Sequence, residues 1–128
     1  MSQNSDKLWW HGRIVMHPFS WGDAYVKIYG RGGEKDRPCI VVGLNETQPN
    51  EAVVIPLTTR IGYSSGVELT HLDKRMANMD EGQVSLAIVG EFNFIELPER
   101  NSPRVRGKIS AQTMSTIKNK IGEAEEDS

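Results

Sequence analysis

Residues 36–44 read DRPCIVVGL, and residues 52–60 read AVVIPLTTR. Each stretch contains a short, β-branched and almost continuous apolar run, which is typical of a buried strand. Between them, residues 45–51 (NETQPNE) are polar and include a proline, so the two runs predict a hairpin of core strands. Arg37 and Thr58 stand at the hairpin ends that lie away from the connecting loop. We therefore expect these two side chains to be neighbours.

Four other segments have β-like patterns, and one segment is rich in glycine. Residues 30–36 (GRGGEKD) contain three glycines and predict a mobile loop. The longest β-like segment, residues 83–97, is predicted to be one bent strand or two, with Gly90 as a bulge. The four segments are residues 13–19 (RIVMHPF), 24–30 (AYVKIYG), 67–70 (VELT) and 83–97 (QVSLAIVGEFNFIEL).

The C-terminal part of the sequence predicts a helix. Ser110 is a good N-cap, Met114, Ile117 and Ile121 form one apolar stripe, and Gly122 is predicted to close the helix. Many short strands followed by one helix indicate a mainly β fold. We expect a small, strongly bent antiparallel sheet or partly open barrel, with the C-terminal α-helix packed on it.

Length and composition favour one ordinary globular domain, spanning residues 1–128. The chain has 38% apolar and 25% charged residues, close to the average for such domains. Cys39 is the only cysteine, which excludes an internal disulfide. There is no signal-peptide core and no run near the ~18 apolar residues of a spanning helix, so a cytoplasmic location is predicted.

The charges are unevenly distributed. The formal net charge is −2, but the tail at residues 123–128 (EAEEDS) carries four acids, which leaves 13 acids against 15 bases in residues 1–122. If the fold gathers the basic residues on one face, they can meet phosphates; if it spreads them, they form an ordinary solvated surface. The bases near predicted strand ends and loops are Arg31, Lys35, Arg37, Arg60, Arg100, Arg104, Arg106 and Lys108.

Arg37 and Thr58 suggest phosphodiester chemistry. Arginine offers a planar fork of donors that suits a phosphate, and a nearby hydroxyl beside a mobile loop would help to stabilise a developing phosphorane. The alternative is a surface arginine paired with Asp36, next to a threonine that merely suits a strand.

Other catalytic patterns are weaker. The three histidines, His11, His17 and His71, lack metal-site spacing and are read as structural, so no metal or other cofactor is predicted. Cys39 lies in an apolar strand, where a thiol is inert. The three tryptophans could stack on unpaired bases, pack in the core or form a subunit interface; they are Trp9, Trp10 and Trp21.

The chain resembles the MazF/PemK (Kid) family of toxin endoribonucleases over residues 12–122. The matching blocks are, in order, GRIVMHPF, DRPCIVVG, AVVIPLTTR, GVELT and GKISAQTMSTIKNKIG. The most specific part is the pair RP before one apolar strand together with PLTT after the next. The resemblance implies an SH3-like β-barrel with a C-terminal helix, a homodimer, and metal-independent, sequence-specific cleavage of single-stranded RNA. It also implies a cognate antitoxin peptide that occupies the RNA groove.

The resemblance also assigns the site. It implies that Arg37 and Thr58 are catalytic and that the RNA's own 2′-hydroxyl attacks, with Glu34 as a candidate base. Gly90 and Glu91 stand where many family members carry an Asp-Gln pair, and residues 20–35 are longer than usual. A non-catalytic module on the same barrel, such as a toxin that binds gyrase, is the alternative. Candidate RNA-binding residues are Arg31, Lys35, Thr59, Arg60, Trp21 and Glu91.

Overall fold

The computed structural model describes residues 8–18, 36–45, 47–48, 50–59 and 66–126, with side chains through 122. Residues 8–10 are helical and lead into the first strand. The strands are β1 (Arg13–Pro18), β2 (Asp36–Leu44), β3 (Glu51–Thr58), β4 (Gly66–Glu68), β5 (Leu86–Ile88), β6 (Asn93–Glu96) and β7 (Val105–Lys108). The helices are α1 (His71–Met76) and α2 (Ala111–Glu126).

The predicted hairpin is confirmed as the antiparallel pair β2 and β3. Cys39 lies opposite Pro56, and Val41 lies opposite Val54, before an irregularity shifts the register towards Gly43. Val41, Val54 and Cys39 are fully buried, because both strands lie inside the sheet and carry apolar side chains on both faces. The hairpin is thus the centre of the core.

The seven strands form one antiparallel, bent sheet. Its order is β4-β5-β3-β2-β1-β7, and β6 also pairs with β3. β3 is long enough to serve two partners, since residues 51–54 pair with β6 while Leu57 and Thr58 pair with β5. A strand that changes partner along its length turns the sheet, which confirms the predicted bent architecture.

Apolar side chains pack on both faces of this sheet. On one face, Ile40 and Ile55 pack in the same cluster as Met114 and Ile117 of α2. On the other face, Val15 and Cys39 pack with Trp10. Successive residues of a strand point to opposite faces, so the two clusters alternate along β1, β2 and β3. The predicted apolar stripe of the C-terminal helix is confirmed.

Some predicted elements differ from the structure. Residues 83–97 form two strands, β5 and β6, and Gly90 lies in the turn between them, so the predicted bulge at Gly90 is wrong. Gly122 does not end α2, which continues to Glu126. One glycine in an otherwise helical run costs only about 1 kcal/mol, which the following helical turn can tolerate.

Two elements, α1 and β7, were not predicted.

A buried carboxylate joins the ends of both helices. Asp73 of α1 is fully buried and accepts hydrogen bonds from Thr70 N (3.0 Å), Ser110 N (2.7 Å) and the Thr113 hydroxyl. Thr70 caps α1 and Ser110 caps α2, the second as predicted. Burial alone would raise the pKa of Asp73, but the hydrogen bonds from Thr113, Ser110 and Thr70 hold it below its ordinary value.

Several predictions concern residues outside the described part of the chain. These are the strand at residues 24–30, the loop predicted at residues 30–36 apart from Asp36, which begins β2, and the candidate site residues Trp21, Arg31, Glu34, Lys35 and Arg60. Within the described segments, no helix combines the length and the apolar character needed to cross a membrane.

Candidate active site

Arg37 and Thr58 end neighbouring strands at the same edge of the sheet. The ladder between β2 and β3 runs as far as the pair Cys39 and Pro56, and Arg37 and Thr58 each lie two residues beyond that pair, at the same end of the hairpin. Residues directly opposite each other in an antiparallel pair have Cβ atoms about 4.5–5.5 Å apart and project from the same face. The sequence expectation that Arg37 and Thr58 are neighbours at such a distance stays a prediction, which their positions two residues beyond the last pair favour.

The environments of the two residues differ. Arg37 is half-buried, while the side chain of Thr58 is only 4% exposed. Thr58 also pairs with Leu86 of β5, so strands on both sides hold its backbone in place. A hydroxyl held in this way loses little conformational freedom when it binds a ligand, which is the main requirement of a preorganised donor.

The face that carries this pair is the one opposite α2. Arg37, Cys39 and Val41 are alternate residues of β2, so they project from the same face. Cys39 and Val41 belong to the cluster that contains Trp10 and not to the cluster that packs against α2. The candidate pair thus belongs to the face of the sheet that α2 does not cover.

β2 pairs with β3 along one side and with β1 along the other. In the pairing with β1, His17 lies directly opposite Arg37. It is half-buried, and its Nδ1 is 2.7 Å from the carbonyl oxygen of Pro18. Three residues, His17, Arg37 and Thr58, thus form one row across β1, β2 and β3. The sequence interpretation of His17 as structural missed this row, because nothing local in the sequence shows which residue of β1 faces Arg37.

An ion pair borders the row. Arg104, just before β7, contacts Asp36 at 3.4 Å, and its carbonyl oxygen accepts the N–H of Met16. Asp36 is itself opposite Pro18. Since both members of the pair are about half exposed, it is worth at most about 1 kcal/mol. Asp36 and Arg37 are successive residues of β2, so their side chains project from opposite faces of the sheet.

Cys39 does not supply a nucleophile here. Its side chain is fully buried two residues from Arg37, and its Sγ donates to the Arg37 carbonyl oxygen at 3.3 Å. Burial raises the pKa of the thiol to about 12, and this exceeds the opposing influence of the nearby Arg37 charge. The thiol stays protonated near neutral pH, which agrees with the sequence interpretation.

The other basic residues are not all gathered at this edge. Arg13 lies over the ring of Trp9 at 3.9 Å, Arg100 lies over it at 4.6 Å, and Lys108 donates to the Leu8 carbonyl. These residues lie around the beginning of β1. At a rise of about 3.3 Å per residue, that point is roughly 13 Å along the strand from His17. Among the described residues, these basic side chains lie at the other end of β1 from His17 and Arg37 and do not form one continuous face with them.

Two further predicted RNA-binding residues are described, together with two of the tryptophans. Thr59 is exposed and immediately follows Thr58. Glu91 lies in the turn between β5 and β6. Since both strands pair with β3, this turn is beside the middle of β3, about 10 Å along that strand from Thr58. Trp10 is buried in the core, and Trp9 packs edge to face against it at 4.7 Å.

Comparisons with known proteins agree on the fold. No protein-family model matches the sequence, and no curated protein matches it by sequence. Among solved structures, the Mycobacterium tuberculosis toxin MazF-mt6 is similar, with 18% identity, a TM-score of 0.58, and coverage of 89% of this chain and 96% of that one. A MazE-MazF structure from Deinococcus radiodurans has 15% identity, a TM-score of 0.55, and coverage of 92% and 96%.

A third similar structure is an endoribonuclease in complex with its cognate antitoxin, from a mycobacterial species. It has 15% identity, a TM-score of 0.50, and coverage of 89% of this chain and 91% of that one. At such identities the likeness extends to the fold and not to individual side chains. The chain therefore has the fold of the MazF toxins, which confirms at that level the resemblance read from its sequence.

Proposed function

We propose that this protein is a toxin-type endoribonuclease that cleaves single-stranded RNA without a metal ion, with Arg37 and Thr58 as its catalytic residues. The observation that carries the proposal is the pairing of β2 with β3, which puts a guanidinium and a hydroxyl at the same end of two neighbouring strands. The MazF fold adds support, because a structural neighbour with that fold is described as an endoribonuclease.

The chemistry needs no protein nucleophile. The 2′-hydroxyl oxygen of the RNA attacks the adjacent phosphorus, the bond from phosphorus to the 5′ oxygen breaks, and a cyclic phosphate and a 5′-hydroxyl result. Charge develops on the non-bridging oxygens during this step. The Arg37 guanidinium and the Thr58 hydroxyl donate hydrogen bonds to these oxygens, and such preorganised donors are each worth about 10²–10³ in rate.

We assign RNA binding to the other candidate residues. Thr59 is exposed beside Thr58, and Arg31, Lys35, Arg60, Trp21 and Glu91 remain predicted RNA contacts. Glu34 remains a predicted base. An RNA substrate is favoured over DNA because only RNA carries the attacking 2′-hydroxyl.

The proposal includes two partners. One is a second copy of this chain, and the other is a cognate antitoxin, as in the MazE-MazF and endoribonuclease-antitoxin structures that share the fold. Expression of the protein alone is expected to arrest growth, and co-expression of a short protein encoded directly upstream is expected to restore it. Arrest that the Arg37→Ala variant still produces would contradict an RNA-cleaving mechanism.

The direct test is cleavage of a long unstructured RNA in excess chelator. Wild type is expected to cut it and leave cyclic phosphate ends, and a 2′-deoxy nucleotide at a mapped cleavage site is expected to block the cut. Arg37→Ala is expected to abolish detectable cleavage, and Thr58→Val to reduce it about 10²–10³-fold. The matched controls are Arg75→Ala and Thr116→Val, which alter exposed residues on α1 and α2.

Arg37→Lys separates two explanations of a loss at Arg37. Lysine keeps the positive charge but lacks the planar fork, so a large loss indicates a two-point phosphate contact and not general attraction. If wild type cuts no RNA, or if Arg37→Ala cuts as fast as wild type, the proposed function is wrong. Binding of RNA without cleavage would identify a non-catalytic module.

A further inference from the structure

We propose that His17 is the general base that takes the proton from the attacking 2′-hydroxyl. This inference rests on the proposed function, and it assigns to His17 a role that the sequence interpretation gave to Glu34. Three observations carry it: the position of His17 beside Arg37, the hydrogen bond made by its Nδ1, and its partial exposure.

The first observation is the position. His17 is paired with Arg37 in the register of β1 and β2, and Val15 is paired with Cys39 in the same ladder. Since Val15 and Cys39 both belong to the Trp10 cluster, His17 and Arg37 project from that same face. Side chains so paired lie close enough for both to contact one phosphodiester, with the imidazole on one side of the guanidinium and Thr58 on the other.

The second observation concerns the tautomer. A carbonyl oxygen can only accept a hydrogen bond, so the 2.7 Å contact between His17 Nδ1 and Pro18 O requires the proton to be on Nδ1. In the neutral ring Nε2 then carries a lone pair, which is the form that accepts a proton. The hydrogen bond also fixes the orientation of the ring, as the orienting partner of a catalytic histidine must do.

The third observation is the surroundings. His17 is half-buried, so part of its surface remains exposed to solvent. The charged group paired with it is Arg37 of β2, while Asp36 and Arg104 form an ion pair next to Pro18, where β1 ends. Cys39, the other titratable group in the ladder on this face, is a buried thiol that stays protonated near neutral pH.

The step balances without a further reactant. His17 Nε2 takes the proton of the 2′-hydroxyl as the bond from the 2′ oxygen to phosphorus forms. The bond from phosphorus to the 5′ oxygen breaks, and this oxygen takes a proton from solvent water. The imidazolium then returns its proton to solvent, so the products are only the cyclic phosphate and the 5′-hydroxyl strand.

The test compares single-turnover cleavage of one RNA oligonucleotide that wild type cuts, in excess chelator, between about pH 5 and pH 8, where histidine changes charge. His17→Asn retains a donor near the Nδ1 position but has no base. His17→Gln is a second variant that decides the matter if the first is unstable. His71→Asn, at an exposed position on α1, is the matched control, and Glu34→Gln tests the competing base.

We expect His17→Asn to lower the rate about 10²–10⁴-fold with an unchanged thermal midpoint, the usual contribution of a general base. The rise of the wild-type rate with pH across this window should also disappear, whereas His71→Asn should keep both the rate and the rise. A wild type that cuts while His17→Asn stays within threefold of it, or keeps the same rise with pH, overturns this inference and leaves the proposed function intact. If only the Glu34→Gln variant loses the rise of the cleavage rate with pH, the inference about His17 is also overturned. A wild type that does not cut refutes the proposed function itself.

Discussion

Replacement of Asp73 by asparagine is expected to destabilise the protein severely. Asp73 is fully buried, and its two carboxylate oxygens accept three hydrogen bonds, from Thr70 N, Ser110 N and the Thr113 hydroxyl. Asparagine has nearly the same shape but presents an NH₂ group in place of one oxygen. Whichever way the amide is turned, a donor then faces at least one of these donors.

The magnitude follows from these contacts. Loss of one hydrogen bond to a charged acceptor costs about 1.5–3 kcal/mol, and a buried donor left without an acceptor costs about 1–3 kcal/mol more. We therefore expect Asp73→Asn to lower the free energy of unfolding by about 3–5 kcal/mol. That is a large fraction of the roughly 5–15 kcal/mol that stabilises a typical domain.

The effect has a defined dependence on pH. The folded-state pKa of Asp73 is held below its ordinary value of 3.8, because the hydrogen bonds from Thr113, Ser110 and Thr70 outweigh burial. The ionised carboxylate therefore contributes its full stabilisation above the unfolded-state pKa, and this contribution is lost as pH falls through the folded-state pKa. The difference between wild type and Asp73→Asn should be constant near neutral pH and should shrink only in acid.

Urea unfolding, followed by tryptophan fluorescence at pH 7 and at several acid values, measures this difference. Asp80→Asn is the matched control, because Asp80 is exposed and its side chain accepts the Gly82 N–H at 2.9 Å. It should change the free energy of unfolding by less than about 1 kcal/mol. A loss below about 1 kcal/mol for Asp73→Asn at neutral pH, or a difference that does not shrink in acid, would refute this account of the buried carboxylate.

Three further outcomes are expected. A Cβ on Gly107 would lie 1.8 Å from the Met76 carbonyl oxygen, so Gly107→Ala should lower the free energy of unfolding by about 1–3 kcal/mol or more. Gly43→Ala is the control and should be nearly neutral, because a Cβ on Gly43 meets nothing within 4 Å. Urea unfolding measures both, and equal effects would contradict the contact. Cys39 should not react with a thiol reagent at pH 8 in the folded protein but should react fully in urea, since burial raises its pKa to about 12; rapid reaction of the folded protein would contradict its burial. The protein should have the mass of a dimer by light scattering at micromolar concentration, because exposed apolar side chains such as Phe94 (68% exposed) and Leu8 (70% exposed) favour self-association, and a monomeric mass would count against this.

Sequence alone determined the elements whose signals are local. The hairpin of β2 and β3 could be predicted because β-branched apolar runs and a polar turn lie within about 20 residues of each other. The C-terminal helix could be predicted because a cap, at Ser110, and an apolar stripe act over one or a few turns. The placement of Arg37 and Thr58 at the same end of β2 and β3 follows from the same hairpin, so this much of the candidate site was also predictable.

The elements that were missed have weaker local signals. α1 is one short helix, and its capping box, Thr70 with Asp73, is a four-residue pattern that occurs often by chance. β7 is four residues long and includes Gly107, so its pairing with β1 and its close contact with α1 stabilise it more than its own composition does. Gly122 illustrates the reverse case, in which a local stop signal does not end the helix.

Only the tertiary structure decided which residue stands beside Arg37. His17 belongs to a strand that 17 residues separate from β2, and a register shifted by one would have placed Met16 or Pro18 opposite Arg37 instead. The same holds for Asp73, whose partners Ser110 and Thr113 come from a helix almost 40 residues away. Alternation and caps are set by neighbours in the chain, whereas register and burial are set by the packing of the whole sheet, which no local pattern specifies.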